Sequence, residues 1–147
     1  MEHAEYTYTT GMDDAEMESF LQSKQTGVLS LADDGEAYAV PLAYHYDGTS
    51  LFLRVGRDAD SKKMRFIETT DTASFLVYED EPPEEAWSIM ALGGLRELSP
   101  TEQDAFDETT INELFIPIRV FGESIEEVAL TIFEFEIEEL TGRLATE

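Results

Sequence analysis

Residues 27 to 55 constrain the fold more than any other part of the chain. Three runs, Gly27–Ala32, Ala37–Tyr46 and Ser50–Val55, carry a hydrophobic period of two. They are separated only by Asp33-Asp34-Gly35-Glu36 and Asp47-Gly48-Thr49. Alternation over so few residues specifies strands rather than helices, and Asp-Gly turns of this length join strands that run antiparallel. A parallel crossover needs a dozen or more residues and has no room here. The stretch is therefore a meander, and the rest of the chain is built around it.

The flanking segments extend this pattern. Asp13 followed by Glu16 forms a capping-box start for a helix with Met17, Phe20 and Leu21 on one face. After a loop at 56–60, a short helix presents Met64 and Ile67. Thr72–Tyr78 is a strand, Glu79–Glu85 an acidic Pro-containing loop, and Ala86–Leu98 a long strand. Gly93-Gly94 inside that strand predicts a bulge or a close backbone approach. Ser99, Pro100 and Glu102 open a helix expected to reach Leu114, and residues 115–126 receive no assignment. In the last strand, 127–138, Val128, Leu130 and Ile132 alternate on one phase and Phe133, Phe135 and Ile137 on the other. Either a bulge shifts its face or both faces are buried, as in a barrel wall that meets a helix or a second subunit. The expectation is one domain over 1–147, mainly β with flanking helices, of about six antiparallel strands, with 1–11 as a frayed tail.

The charge bears on partners and solvent. The 147 residues hold 33 acids against 9 bases, a net −24. Leu, Ile, Val and Phe still make up a quarter of the chain, enough for a core despite that charge. The acidity excludes a general field for nucleic acid or an anionic membrane. Without cysteine there is no disulfide, thiolate nucleophile or Cys-bound metal. No signal peptide or spanning segment is visible, so a soluble cytoplasmic protein is expected. The acids fit either a surface that grips a basic partner or adaptation to high salt. Dispersed acids and only three lysines (Lys24, Lys62, Lys63) favour salt, where a Debye length of about 3 Å at 1 M screens their repulsion.

Positive charge is concentrated instead of scattered. Arg54, Arg57, Lys62, Lys63 and Arg65 fall within 54–65 beside only two acids, Asp58 and Asp60. A strand–loop–helix junction of this kind is a template for phosphate: free N–H groups at the helix start, a Ser61 hydroxyl, a Lys62 or Lys63 ammonium, an Arg54 or Arg57 fork. The competing reading is pairing of these bases with nearby carboxylates. His45 is open between a bound ligand and solvent, and Trp87 between a bound ligand and the core. The acidic loop lacks the ligand spacing of a metal site, and no metal is expected.

The run GVLSLADDGEAYAVPLAYHYDGTSLFLRVGRDADSKKMRFI resembles the pyridoxamine 5′-phosphate oxidase-like, FMN-binding split-barrel proteins, in particular their small nitroimidazole-resistance-type branch. The matching pieces are Ala39-Val40-Pro41-Leu42, Ser61-Lys62-Lys63, Ala86-Trp87-Ser88-Ile89 with Gly93-Gly94, and the closing FEFEIEELTGR. The resemblance covers about 12–143 and implies a six-stranded antiparallel split β-barrel that forms a homodimer with FMN at the interface. It further implies that Tyr38, Ala39, Val40, Pro41 and Leu42 run beside the isoalloxazine, and that Arg54 and Val55 flank the ribityl phosphate. Lys62 and Lys63 would take the phosphate, and Ser88 would reach phosphate or ribityl. True pyridoxamine phosphate oxidases carry a C-terminal Arg-Leu-His-type motif, whereas this chain reads Gly142-Arg143-Leu144-Ala145-Thr146-Glu147, so that specific activity is not expected. In this class the flavin supplies the redox chemistry. The first reading is an oxidoreductase carrying electrons from a reduced nicotinamide or deazaflavin to a small-molecule acceptor. The others are a flavin-storage protein and a barrel that holds haem or deazaflavin.

Overall fold

A computed structural model describes residues 5–57, 62–117 and 129–146. The elements are β1 (Tyr8–Gly11), α1 (Asp14–Gln22), β2 (Thr26–Asp33), β3 (Glu36–Tyr46), β4 (Leu51–Arg57), α2 (Lys62–Thr69), β5 (Ala73–Glu79), β6 (Trp87–Glu97), α3 (Pro100–Asp104), α4 (Glu108–Leu114) and β7 (Ala129–Thr146). A single turn of 3₁₀ helix, Pro83–Glu85, precedes β6.

The strands form one sheet in the order β1-β7-β4-β3-β2-β5-β6, and β6 pairs back onto β7. Strands β2 to β7 thereby close a six-stranded antiparallel barrel, and β1 is an added outer strand. The hairpin turns are those the Asp-Gly pairs specify. Asp34 and Gly35 both have positive φ between the paired Asp33 and Glu36, and Gly48 follows an Asp47 side chain that accepts from Thr49 and Ser50 N–H. The interior is filled by alternate residues of every barrel strand, among them Leu29, Leu31, Tyr44, Leu53, Val55, Phe75, Val77, Ile89, Phe133 and Phe135. Helix α1 closes one end through Met17 and Leu21, and the buried Tyr44 hydroxyl donates to the Leu21 carbonyl at 2.6 Å. Asp13 and Glu16 form the expected capping box.

Both faces of β7 are buried where its hydrophobic phase changes. Phe133 and Phe135 point into the barrel, while Ile132 joins Ala43, Leu98 and Phe115 in a second cluster outside it, under α3 and α4. Arg96 fixes those helices to the wall, taking Glu102 through two bonds of 2.9 Å and Glu134 at 2.6 Å. The Gln103 amide both donates to and accepts from the backbone of Ile132. The β6–β7 ladder slips between Leu92 and Gly93, with Glu138 the extra residue. At Gly93 the two strands touch so closely that a Cβ would lie 2.0 Å from the Glu136 carbonyl oxygen. The bulge and the close approach expected of Gly93-Gly94 both occur.

Several boundaries differ from expectation. The tail is not frayed throughout, since Tyr8–Gly11 pairs with Thr146–Arg143. The helix expected over Pro100–Leu114 is two helices, because Asp107 accepts the Thr110 N–H and starts a new one. The last strand runs to Thr146, held by β6 on one edge and β1 on the other, so its polar second half needs no apolar alternation. Val128, residues 118–126 and loop residues 58–60 lie outside the described residues. None of the described helices is long and apolar enough to cross a membrane.

Candidate functional site

The barrel is split on one side. Strand β3 pairs with β4 only over Ala43–Tyr46 against Leu51–Arg54. Beyond that point Glu36–Leu42 continues with β2 alone, and Val55–Arg57 with β7 alone. Helix α2 packs over β2 and β3 at this opening and buries Met64, Phe66 and Ile67 in the core.

The split exposes backbone in a defined pattern. In an antiparallel ladder a residue directs its N–H and C=O to the same neighbour, and the neighbour alternates. The Tyr44 N–H bonds to Gln25 on the β2 side, so Leu42, Val40 and Tyr38 turn their backbone groups the same way. Ala37, Ala39 and Pro41 therefore direct theirs into the opening that β4 has left. Pro41 contributes only a carbonyl there, which suits an unpaired edge. By the same alternation Gly56 of β4 directs its N–H and C=O into the opening from the other side.

The lysines of α2 stand over this opening. Lys62 Nζ lies 5.8 Å from the Tyr38 ring centroid and 5.7 Å from that of Phe66, two rings stacked at 5.4 Å. Such placement over ring faces holds an ammonium without neutralising it. Lys63 Nζ is 3.8 Å from where a Gly56 Cβ would stand, which places the ammonium beside the β4 edge of the opening. Gly56 is a site residue the sequence reading passed over. Its signal was a glycine between two arginines at the end of a strand.

The remaining candidates are distributed unevenly. Ala39 and Pro41 are exposed and Val40 half-buried, while the Leu42 side chain belongs to the core. Val55 is wholly buried, so only its backbone could border a ribityl chain. Arg54 is not a free fork. Its guanidinium lies over the Phe115 ring at 5.7 Å, donates to the Ile116 carbonyl, and is pushed down in pKa by burial. Segment 115–117, unassigned from sequence, is what diverts it. Ser61 lies outside the described residues. Ser88 is exposed on β6 between Tyr78 and Arg143, in a groove that neither Lys62 nor Lys63 lines. Trp87 packs against Phe20 with ring centroids 4.7 Å apart and is a core residue. His45 is half-buried on β3, opposite Phe52.

Comparison with known proteins agrees with this fold. The family model described as pyridoxamine 5′-phosphate oxidase matches residues 13–144. A crystal structure from Mesorhizobium loti, described as a FAD-binding protein, is 21% identical with a TM-score of 0.70, covering 97% of this chain and all of that one. One from Bacteroides thetaiotaomicron, described as a candidate 5-nitroimidazole antibiotic resistance protein, is 17% identical with a TM-score of 0.68, covering 100% and 99%. A FAD and haem binding protein from Mycobacterium smegmatis is 16% identical with a TM-score of 0.66, covering 95% and 74%. These likenesses establish the fold. No curated protein matches the chain.

Proposed function

This chain belongs to the pyridoxamine 5′-phosphate oxidase family, and on that premise we propose that it binds FMN in the split between β3 and β4. There it would serve as an oxidoreductase, passing electrons from a reduced nicotinamide or deazaflavin to a small-molecule acceptor. The observation that carries the reading is the open β3 edge facing Lys62 and Lys63. A flavin presents both a flat ring with a polar edge and a phosphate, and the opening offers a complement to each. Ala37 and Ala39 supply N–H and C=O groups for the ring's polar edge, with the Pro41 carbonyl beside them. Lys62 and Lys63, at the start of α2, supply charge for the phosphate. The flavin, when bound, supplies the hydride or single-electron chemistry. The chain's own residues bind and orient it, and no side chain is assigned a proton-transfer role. Arg54 acts indirectly, by holding Phe115 and Ile116 against the wall next to the opening.

A homodimer with the flavin at its interface belongs to the same reading. Ser88 would then contact the flavin only from the second subunit. Its support is an apolar cross-strand row on the outer wall, Pro41, Val28, Leu76 and Met90, in register and free of the acids that abound elsewhere. The acidity is read as adaptation to high salt.

Purification of the full chain in high salt tests the proposal. Yellow protein with the visible bands of oxidised flavin is expected, and chromatography of the released cofactor separates FMN from FAD. Bleaching by reduced nicotinamide or reduced deazaflavin distinguishes an enzyme from a storage protein. Lys62→Ala and Lys63→Ala should each weaken FMN by about 1.5–3 kcal/mol, one charge-assisted contact. Colourless protein that refuses added FMN, or a haem spectrum in its place, refutes the flavin reading.

A further inference from the structure

Strand β6 leaves the barrel wall before β7 does. Its pairing with β7 ends at Glu97 against Phe133, and the chain then turns into α3. On its other edge, Ala129–Ile132 of β7 still pairs with β4. The edge that β6 abandons is met instead by a side chain. Gln103 Nε2 donates to the Ile132 carbonyl at 2.8 Å, and the Ile132 N–H donates to Gln103 Oε1 at 3.2 Å. A primary carboxamide here stands in for a strand.

The same backbone pair recurs two residues earlier. By the alternation of the ladder, Leu130 turns its N–H and C=O to the same edge as Ile132. Among the described residues no backbone group or side chain bonds to that pair. Leu130 lines a pocket of about 440 Å³ on this edge, together with Glu97, Leu98, Pro100 and Gln103. That volume suits a small organic ligand, for which about 300–1,000 Å³ is usual.

We infer that this pocket binds a planar primary carboxamide, held by Leu130 as Ile132 holds Gln103. The ligand's NH₂ donates to the Leu130 carbonyl, its oxygen accepts the Leu130 N–H, and its flat body lies against Leu98 and Pro100. A carboxylate has no donor for the Leu130 carbonyl, and Glu97 in the lining opposes its charge. Strands β7 and β4 stand between this pocket and the flavin opening. Met90, where the outer apolar row reaches β6, lies roughly 20 Å along that strand from Glu97. The carboxamide site therefore requires neither a bound flavin nor a subunit interface.

The full chain, labelled with ¹⁵N and kept in high salt, is titrated with benzamide, N,N-dimethylbenzamide and benzoate while its amide resonances are followed. Benzamide is expected to shift the Leu130 N–H saturably. The dimethyl compound, which keeps the carbonyl but has no N–H, should bind about fivefold more weakly, and benzoate at least as weakly. The Leu130 N–H lies off the β4 ladder, so Leu130→Pro removes it without breaking a ladder bond. That variant, its fold checked by circular dichroism, should lose about fivefold in benzamide affinity, while Leu130→Val should keep the preference for benzamide over its dimethyl analogue. Should Leu130→Pro not fold, the comparison of ligands on the native chain decides alone. A benzamide shift that does not saturate or leaves Leu130 unmoved overturns the inference. So do equal affinities for benzamide and the dimethyl compound, or undiminished benzamide binding by folded Leu130→Pro.

Discussion

Two adjacent glycines of β6 should respond in opposite ways to the same substitution. At Gly93 an added Cβ would meet the Glu136 carbonyl oxygen at 2.0 Å, its carbon at 2.9 Å and Phe135 Cε1 at 3.0 Å. The first two are backbone atoms of β7, fixed in the ladder that closes the barrel, and cannot rotate away as a long side chain would. Relief requires the strands to separate by about 1 Å, enough to weaken the bonds beside the bulge. Overpacking of this kind costs about 3 kcal/mol, the upper end of the usual range. For a chain near 150 residues that corresponds to a fall in Tm of roughly 6–12 °C. At Gly94 nothing lies within 4 Å, and its φ is not positive. Gly94→Ala should be neutral or raise stability by about 0.4–1 kcal/mol, by restricting the unfolded chain. Thermal melts followed by circular dichroism, in one high-salt buffer, compare the two variants directly. A Gly93→Ala melt within a degree or two of the native one would falsify the close approach, as would equal losses at both positions.

Acid and salt give further tests. The Arg96 guanidinium, with the Ser99 N–H, holds the Glu102 carboxyl at about 2, below its ordinary 4.5. A depressed carboxylate adds stability above its unfolded value, and that addition disappears as pH falls through the folded one. Glu102→Gln should therefore melt below the native chain near neutrality, with the gap narrowing between pH about 4.5 and 2; a gap constant across that range would contradict the pairing. If the acidity is solvent adaptation, dialysis from about 2 M to about 50 mM KCl should abolish the folded signal, as the Debye length lengthens several-fold. Identical spectra and melting in the two buffers would reject it.

Local chemistry explains what the sequence disclosed. Asp13 with Glu16, Ser99 with Glu102, and Asp34-Gly35 each act over three or four residues, so their elements could be read directly. Gly93-Gly94 was equally legible, because a paired glycine inside a strand has few other uses. The second half of β7 was not, since Glu138–Thr146 is ordered by neighbours on both edges and not by burial of one face. β1 exists for the same reason. At the site, Lys62 and Lys63 were legible from charge alone. The fate of Arg54 was not, because Phe115 and Ile116 are some sixty positions away and nothing local announces the contact. The open edge of β3 was likewise hidden, being a property of where β4 departs.

The place of β7 in the ring also fixes the order of assembly. Strands β4, β6 and β1 all find a partner in Ala129–Thr146, so until this last segment is made the barrel stays open along two edges. Open edges of that kind invite pairing between nascent chains. Most of the 33 acids precede Ala129, so an incomplete chain leaving the ribosome already carries strong negative charge. At low salt that charge would hold unfinished copies apart while closure waits for the final strand; at about 1 M salt, with a Debye length near 3 Å, the repulsion is largely screened and gives the open edges no such protection.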